Sequence, residues 1–330
     1  MGRFARSVVS AARTDPEIEL ELISLRRSDD AALHAEFGEL PLHRPARAGR
    51  RDAYDVVWHP WNGMRFRSLA PSLVTIYDAF AFDDPQPEPI SRWREQAPIR
   101  RAARTATKIA TISAWSRGRL IDALGVEPER IAVIPLAPDP YFTPGDDAAV
   151  PSALTGRRYV LMVGAREPRK NARTLIAACA RALDRQSEML AIVGKLSSDD
   201  ARLVADLGVA ACEIEAGDEA LRTLYRHAAA LAVPSSAEGF GLVVVEGMAC
   251  GVPVLAAAAA ALPEAAGDAA QLIEPFDVEA WSRAIRRVLD VRAWADRLRA
   301  AGLAHVAAFD RSEPARATIA LLREVANLRT

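Results

Sequence analysis

The sequence has few of the residues that build disulfide frameworks or metal centres. Its 330 residues include three cysteines and five histidines. Cys179, Cys212 and Cys250 are odd in number, far apart and outside any Cys-x-x-Cys pattern. A disulfide scaffold or a zinc site is therefore not expected. We expect all three to be small buried side chains in a reducing compartment.

An excess of charge of one sign is also missing. Lys and Arg number 42 against 43 Asp and Glu, which gives a formal net charge of −1. Positions 1–150 hold 20 basic and 21 acidic residues, so neither half is a basic platform and no nucleic-acid partner is expected. The chain has only three lysines beside 39 arginines. A lysine in such a chain hints that its position requires a compact ammonium group rather than a guanidinium. The lysines are Lys108, Lys170 and Lys195.

Long apolar runs are absent as well. No apolar segment follows the first six residues, so we expect no secretion signal. The longest uncharged run, residues 247–263, contains Gly251 and Pro253, and we interpret it as helix, turn, strand and loop rather than a membrane span. The alanines at 257–261 are interpreted as a loop or a helix start. These features lead us to expect a cytoplasmic protein.

Short β-branched runs alternate with amphipathic stretches, which predicts an α/β protein with parallel sheets. A breaker-rich stretch, residues 138–151, separates two such series. We predict a first domain over 1–145, a second over 152–310 and a final segment over 311–330. Predicted strands are 18–24, 55–58, 73–77, 108–112, 131–134, 159–164, 189–194, 231–234 and 253–256. Predicted helices are 114–124, capped by Gly125, and 171–183, 218–229, 241–250 and 313–327.

The start of the chain has a helical pattern with no strand before it. Phe4, Val8, Val9 and Ala12 form an apolar stripe at helical spacing. We therefore expect the first domain to lack its first strand, and an in-frame coding stretch before Met1 to supply that strand and a glycine-rich loop.

The most informative segment runs from residue 233 to 253. A strand ends at Pro234, a turn carries Glu238, Gly239 and Gly241 permit close backbone approach, and a helix begins. A helix start directs backbone N–H groups and the positive end of the helix dipole outward. This geometry predicts a site for an anionic or oxygen-rich ligand.

Glu238 and Glu246 belong to the same segment. If both point to one ligand, their oxygens suit pairs of sugar hydroxyls. In the alternative, Glu238 caps the helix and Glu246 is a solvated helix residue. Glu246 lies within an apolar run, where a carboxylate without partners is costly to bury.

A second constellation follows the strand at 159–164. Gly164 ends that strand, and Arg166, Arg169 and Lys170 occupy the turn before the next helix. Cations at such an edge suit a phosphate or a departing diphosphate, although many basic turns are only solvated.

These motifs resemble family 4 of the retaining glycosyltransferases, the group 1 type, over nearly the whole chain. The stretches that carry the resemblance are Glu-x7-Glu at 238–246, Glu-Pro-Arg-Lys-Asn at 167–171, Thr-Ile-Ser-Ala-Trp-Ser at 111–116 and Leu-Pro-Glu-Ala-Ala-Gly-Asp-Ala-Ala at 262–270. The resemblance implies a GT-B fold, with two Rossmann-like domains and a cleft between them. It also implies transfer of a hexose from a nucleotide-diphosphate sugar to a glycan or glycolipid hydroxyl. The Glu-Pro-Arg-Lys-Asn turn favours mannose as the transferred sugar. No cofactor and no catalytic metal are implied.

The same resemblance assigns roles to residues. Glu238 would contact the donor sugar and Glu246 the ribose, while Lys170 and either Arg166 or Arg169 would hold the diphosphate. Helix 313–327 would cross back onto the first domain. The residues expected to act on the leaving group and sugar are Glu238, Lys170 and Arg166; those expected to bind the donor are Gly164, Arg169, Gly239, Phe240, Gly241, Leu242 and Glu246.

Acceptor-side residues are less well marked. Many relatives carry His-Asp where this chain has Tyr77 and Asp78, so the role of the histidine does not transfer directly. His59 follows a strand and either lines the acceptor side or is structural. Residues 256–261 lack the polar residues that usually precede Leu-Pro-Glu.

A basic stretch with one tryptophan runs from Arg92 to Lys108. It is either a contact with anionic lipid at the inner membrane face or a solvated helix face. Two other functions are alternatives for the whole chain: a nucleotide-sugar epimerase, and a truncated, non-catalytic paralogue that binds sugar nucleotides or a partner transferase.

Overall fold

The computed structural model describes residues 2–50, 53–84, 87–145 and 149–328. Part of the predicted linker, residues 146–148, and the last two residues of the predicted C-terminal segment lie outside this range. The chain forms two compact units. The first comprises Met1–Leu136 with Ser312–Thr330, and the second comprises Ala137–Arg311.

The division comes at Leu136, whereas the sequence placed it at residue 145. The intervening residues pack on the second unit because Phe142 is fully buried there with its ring 5.7 Å from that of Tyr225. Arg226 reinforces the attachment by donating its Nε–H to the Thr143 carbonyl at 2.7 Å. The prolines of this stretch therefore follow the surface of the second unit.

The first unit contains short strands alternating with helices. Its elements are α1 (Gly2–Arg13), β1 (Leu22–Ile23), α2 (Asp30–Phe37), β2 (Leu42–His43), α3 (Pro45–Ala48), β3 (Val57–His59), β4 (Ser72–Thr75), α4 (Phe80–Asp83), α5 (Pro89–Thr105), β5 (Lys108–Thr111), α6 (Ala114–Leu124) and β6 (Ile131–Val133). β1 pairs in parallel with β2, and β3, β4, β5 and β6 form a separate parallel sheet in that order.

Apolar clusters cover the four-stranded sheet. One contains Val74 and Ile109 of the sheet with Ile99 of α5 and Leu120 of α6. Another joins Leu73 to Leu321, which comes from the C-terminal part of the chain. Parallel strands buried in this way are typical of sheets with helices on their faces.

The second unit is a larger doubly wound layer. Its elements are β7 (Arg158–Val163), α7 (Ala172–Ala182), β8 (Glu188–Val193), α8 (Ser198–Leu207), β9 (Ala211–Ile214), α9 (Asp218–His227), β10 (Ala230–Val233), α10 (Leu242–Cys250), β11 (Val254–Ala257), α11 (Leu262–Ala266), β12 (Gln271–Ile273), α12 (Val278–Asp290) and α13 (Arg292–Ala307). α14 (Glu313–Asn327) follows and belongs to the first unit, where it packs against α1 and β4.

The sheet of the second unit is parallel, with the order β12-β11-β10-β7-β8-β9. The chain therefore winds outward from β7 to one edge and then from β10 to the other. The carboxyl ends of β7 and β10 flank the point at which strand order reverses, where open α/β sheets bind their ligands.

Several predicted elements are confirmed. The helix at 114–124 has the predicted bounds, and Gly125 ends it with φ 63°. The run 247–263 is helix, turn, strand and loop, as interpreted from the sequence, except that Ala257 ends β11 and α11 begins at Leu262. Cys179 and Cys250 are buried, but Cys212 is half-buried because it lies on the edge strand β9.

Other elements differ from the prediction. The strand predicted over 18–24 shrinks to Leu22–Ile23 because β1 pairs along one edge only. The helical stripe at the start buries Ala5, Val8 and Ala12 in α1, whereas Phe4 and Val9 remain half-buried. Among the described residues, no helix is both long enough and apolar enough to cross a membrane.

Candidate functional site

Two loops meet where the strand order of the second unit reverses. The first leaves β7 at Gly164, whose φ of 75° favours glycine and whose N–H donates to the Val193 carbonyl at 2.9 Å. It ends in a short 3-10 turn over Pro168–Lys170. The second loop leaves β10 and carries Glu238 toward α10. Both constellations predicted from the sequence therefore lie at the same edge of one sheet.

Two cations converge on the Glu238 carboxylate. Lys170 donates from Nζ to Oε1 at 2.7 Å, and Arg169 approaches Oε2 from Nη1 at 3.4 Å. The side chains of Lys170 and Glu238 are only 15% and 14% exposed. A pair this sheltered is screened less by salt than a surface pair. The Lys170 ammonium carries three N–H donors in all, so it can also donate to oxygens of a ligand.

Backbone contacts hold the two loops in register. Ser236 donates its N–H to the Arg169 carbonyl at 2.8 Å, and its hydroxyl donates to the same oxygen at 3.2 Å. In the opposite direction, Arg169 donates a hydrogen bond from Nη1 to the Ala237 carbonyl at 3.2 Å. The positions of Lys170 and Glu238 thus depend on more than their own ion pair.

Asn171 is a positioning residue that the sequence analysis did not single out. It is 7% exposed and has φ 55°, in the left-handed region where asparagine is enriched. Its Nδ2 group donates to the carbonyls of Pro234, at 3.1 Å, and Pro275, at 2.7 Å. The signal available in the sequence was an asparagine immediately after the basic turn, at the entrance to a helix.

The helix after the second loop directs its N-terminus toward this edge. α10 begins after Gly241, which has φ 107°, occupies the N-cap position and has no side chain to cap the helix. Glu238 is therefore not a helix cap, which removes the alternative considered for it. The first N–H groups of a helix have no acceptor within the helix, and the dipole adds positive potential there. Leu242 opens the helix, and Phe240 is buried in the turn that follows Gly239.

Glu246 is buried in the second turn of α10, with 7% of its surface exposed. The Tyr225 hydroxyl donates to its Oε2 at 3.5 Å. The alternative of a solvated helix residue is therefore wrong. A carboxylate at this depth is expected to have partners, because its desolvation costs several kcal/mol.

Of the two candidate arginines, the structure brings only Arg169 to the pair. Its guanidinium contacts Glu238 and also Glu167, where Nη2 and Oε2 are 2.6 Å apart. Arg166 is exposed and makes no hydrogen bond or ion pair with the described residues. The two arginines of the turn therefore differ in what they contact, although the sequence presents them alike.

The acceptor-side candidates belong to the first unit. Tyr77 is buried, donates from its hydroxyl to the Pro60 carbonyl at 3.1 Å, and burial raises its pKa. Asp78 accepts from the Phe80 N–H at 3.2 Å. His59 is 6% exposed and packs on the Phe66 ring, and burial lowers its pKa to about 4. Each of the three therefore has a contact within the first unit.

The basic stretch from Arg92 to Lys108 lies mostly on α5, which ends at Thr105. Its exposed face borders a groove of about 480 Å³. Trp93, at one side of the groove, is 68% exposed. The other residues that line it are Arg67, Gln96, Ala97, Arg100, Arg101, Arg104 and Thr105.

The described part of the chain contains no group of three or more His, Cys, Asp or Glu side chains arranged to hold a metal ion. At the carboxyl ends of β7 and β10 in the second unit, the site consists of the cations Lys170 and Arg169, the Glu238 carboxylate and the N-terminus of α10. This set can bind a phosphate-bearing ligand and stabilise negative charge that develops on it.

The chain is similar in sequence to known glycosyltransferases. Residues 147–304 match the family model for glycosyl transferases group 1. Over 274 residues the chain is 31% identical to O-antigen chain mannosyltransferase B of Escherichia coli, covering 78% of this chain and 72% of the relative. It is 29% identical to the MMP alpha-(1->4)-mannosyltransferase of Mycolicibacterium hassiacum, covering 74% of this chain and 64% of the relative.

A D-inositol 3-phosphate glycosyltransferase of Acidothermus cellulolyticus is 34% identical over 72% of this chain, which spans 57% of that relative. Solved structures share the fold at low identity. A Rickettsia africae glycosyltransferase superposes with a TM-score of 0.74 at 16% identity, covering 98% of this chain and 94% of its own. The Anabaena protein HepE in complex with UDP and glucose gives 0.74 at 16% identity, covering 98% and 95%.

The fold is therefore GT-B, as the motifs predicted. The match to the family model lies within the unit that carries Lys170 and Glu238 and covers most of it. The match to the Escherichia coli relative extends beyond that unit to most of both chains. The chain belongs to the group 1 glycosyltransferases.

Proposed function

We propose that this chain is a retaining, metal-independent hexosyltransferase. In this proposal it moves a hexose, with mannose as the first choice, from a nucleotide-diphosphate sugar to a hydroxyl of a glycan or glycolipid. The observation that carries the proposal is the sheltered contact between Lys170 and Glu238 at the point where strand order reverses. The names of two mannosyltransferase relatives support the choice of sugar.

Lys170 and Arg169 act on the diphosphate in this proposal. The bond between the anomeric carbon and a diphosphate oxygen breaks, the acceptor oxygen bonds to that carbon, and the acceptor proton leaves with the diphosphate. Negative charge grows on the leaving oxygen during the step. In the proposal, Lys170, Arg169 and the N-terminus of α10 stabilise this charge; their common position around Glu238 supports the assignment. We assign Arg166, in the same turn, a supporting role in binding the donor.

The two carboxylates bind different parts of the donor. Glu238 accepts hydrogen bonds from sugar hydroxyls once the donor phosphates engage its cations, and Glu246 binds the ribose hydroxyls. Gly164 and Gly241 let the backbone approach the donor closely. A Cβ on Gly164 would lie 3.5 Å from Lys170 Cε, which is an ordinary contact distance, so the cost of a larger residue there would come from the backbone φ of 75°.

The first unit would supply the acceptor side, through Tyr77, Asp78 and His59. The groove beside α5 suits a contact with an anionic lipid surface, because it combines several arginines with an exposed tryptophan. We propose that this face brings the chain to a glycolipid acceptor at the membrane. Binding to vesicles tests this part of the proposal. The parent chain should bind vesicles that contain anionic lipid more tightly than neutral vesicles, and the Arg100→Glu, Arg104→Glu double variant should lose that preference. Equal binding of the two proteins to anionic vesicles would contradict it.

A donor screen tests the main proposal. The chain is incubated with GDP-mannose, UDP-glucose and UDP-N-acetylglucosamine, and release of nucleoside diphosphate and free sugar is followed by NMR. We expect slow hydrolysis of one donor, release of the sugar first as the α-anomer, and no loss of rate with EDTA. Saturable binding without hydrolysis would indicate a sugar-nucleotide-binding paralogue, and an epimeric sugar would indicate an epimerase.

A further inference from the structure

Glu246 needs a fixed orientation if it is to bind two ribose hydroxyls. A glutamate side chain has several rotatable bonds, and immobilising them costs conformational entropy. Its carboxylate has two oxygens, and each of them can accept more than one hydrogen bond. A protein donor that engages one oxygen would therefore orient the carboxylate and still leave acceptor positions for a pair of vicinal hydroxyls.

Tyr225 has the position of such a donor. It lies near the end of α9, which packs against α10, and it is fully buried. Its hydroxyl donates to Glu246 Oε2 at 3.5 Å, which is a long hydrogen bond between two buried side chains. Buried tyrosine hydroxyls usually have a hydrogen-bond partner. The contact uses Oε2 of the carboxylate and does not involve Oε1.

The ring of Tyr225 is held in place by its neighbours. Phe142, which is also fully buried, packs edge-on against it, with ring centroids 5.7 Å apart and ring planes at 77°. The next residue of α9, Arg226, donates from Nε to the Thr143 carbonyl at 2.7 Å and from Nη2 to the Thr143 hydroxyl at 3.0 Å. Two consecutive residues of α9 are therefore fixed by two consecutive residues of the segment that precedes β7.

The same segment borders the face of α10 on which Glu246 lies. Cys250 follows Glu246 by one helical turn, so the two side chains share a face of the helix. Burial raises the pKa of the Cys250 thiol to about 12, while the nearby Arg226 guanidinium and Thr143 backbone act in the opposite direction. Glu246 therefore lies beside a packed region of α9 and the segment before β7.

A second tyrosine of this unit provides a comparison. Tyr159, on β7, is also buried, and its hydroxyl donates to the Leu224 carbonyl at 2.8 Å. Its partner is a backbone group, whereas the partner of the Tyr225 hydroxyl is the carboxylate of Glu246. Loss of either hydroxyl removes one buried hydrogen bond and should lower stability. Only the loss at Tyr225 would also release Glu246.

We infer that Tyr225 is a positioning residue for recognition of the ribose. Its hydroxyl holds the Glu246 carboxylate so that the remaining acceptor positions meet the ribose hydroxyls of the nucleoside diphosphate, and the Phe142 ring keeps Tyr225 in place. This role rests on the proposed function, in which Glu246 binds the ribose. It extends the donor site to α9.

Calorimetric titration with nucleoside diphosphates tests this role. GDP and UDP are each compared with the 2′,3′-dideoxy analogue, which lacks both ribose hydroxyls, and the ratio of the two affinities measures the ribose preference. The variants are Tyr225→Phe, Glu246→Gln and the double variant, with Tyr159→Phe as the matched control. Thermal unfolding of each variant establishes that it is folded.

The parent chain should prefer the ribose form at least about tenfold, as is typical of hydrogen bonds to a charged group. We expect Tyr225→Phe and Glu246→Gln each to reduce this preference to about threefold or less. The double variant should reduce it no further, because both substitutions act on one interaction. Tyr159→Phe should lower the thermal midpoint and keep the parent preference. If Tyr225→Phe does not fold, Phe142→Leu, which loosens the ring and keeps the hydroxyl, should lower the preference in its place.

An unchanged preference in Tyr225→Phe, beside a lost preference in Glu246→Gln, would overturn the role of Tyr225 alone. Equal losses of preference in Tyr225→Phe and Tyr159→Phe would also overturn it, because the effect would then come from general loosening of the unit. Equal binding of both forms by the parent chain would contradict the ribose site of the proposed function, and the role of Tyr225 with it.

Discussion

Lys170 Nζ lies 2.7 Å from Glu238 Oε1, and this contact joins two loops that are 68 residues apart in the sequence. The carboxylate also faces Arg169. Glu238 therefore has two tasks in our proposal, since it holds the phosphate-binding cations in place before the donor arrives and contacts the sugar afterwards.

Substitution Glu238→Gln separates these two tasks, because it keeps the size of the side chain and removes its charge. We expect kcat for sugar release to fall about 10²- to 10³-fold, as is typical when one charged contact to the transition state is lost. The affinity for the nucleoside diphosphate alone should stay the same or rise, because the amide oxygen of the variant can still accept from Lys170, the backbone bonds of Ser236 still hold the loops, and a negative charge near the phosphates is gone. Calorimetric titration with the diphosphate and steady-state kinetics measure the two effects. A large loss of diphosphate affinity would contradict the division.

Arg169 and Arg166 provide a matched comparison within one turn. Arg169 contacts Glu238 and the Ala237 carbonyl, whereas Arg166 is exposed. We therefore expect Arg169→Ala to slow sugar release at least about tenfold more than Arg166→Ala. Rates for both variants at saturating donor decide the question. A larger effect of Arg166→Ala would show that the bound donor recruits the exposed arginine, the other assignment that the sequence allows.

The entrance of α10 depends on a glycine. A Cβ on Gly241 would lie 2.9 Å from Leu262 Cδ2, and φ of 107° is unfavourable for other residues. We expect Gly241→Ala to lower the free energy of unfolding by about 1–3 kcal/mol. A Cβ on Gly118, inside α6, would meet no heavy atom within 4 Å among the described residues, so Gly118→Ala should raise the free energy by about 0.5–1 kcal/mol. Urea unfolding of both variants measures the contrast.

His59 should make stability depend on pH. Burial lowers its pKa from 6.5 to about 4, so the unfolded chain binds a proton between these values while the folded chain does not. Stability from this group is fully present above pH 6.5 and is lost as the pH falls toward 4. The loss is on the order of 3 kcal/mol once the pH approaches the folded-state pKa. His59→Leu should lose less stability than the parent chain over this range in urea titrations. Parallel curves for the two proteins would show that His59 is not the group responsible.

In the second unit, the sequence predicted the central strands better than the edge strands. Strands β7, β8, β10 and β11 are runs of apolar residues, and their positions follow from that pattern. The edge strands β9 and β12 escaped prediction because they are short, partly exposed and weakly patterned. The helix of Ala114–Leu124 was predictable to the residue because Ser113 caps its start and Gly125 its end.

The site was predictable in outline but not in detail. Spacing and residue type indicated that Lys170 and Glu238 belong to one edge, because loops after parallel strands share an edge. The choice between Arg169 and Arg166 depended on side-chain rotamers, which one sequence does not specify. The role of Asn171 depended on two carbonyl acceptors, Pro234 and Pro275, that become neighbours only in the folded sheet.

The rate of sugar release by Lys170→Ala tests the central claim most directly. Lys195→Ala is the matched control, since Lys195 is 59% exposed and contacts the surface residues Glu213 and Glu215. With the donor selected by the screen, we expect Lys170→Ala to release sugar about 10²- to 10³-fold more slowly while unfolding at a similar temperature. Lys195→Ala should release it at the parent rate. Equal rates for Lys170→Ala and the parent chain would contradict the assignment of the leaving-group site to this edge of the sheet.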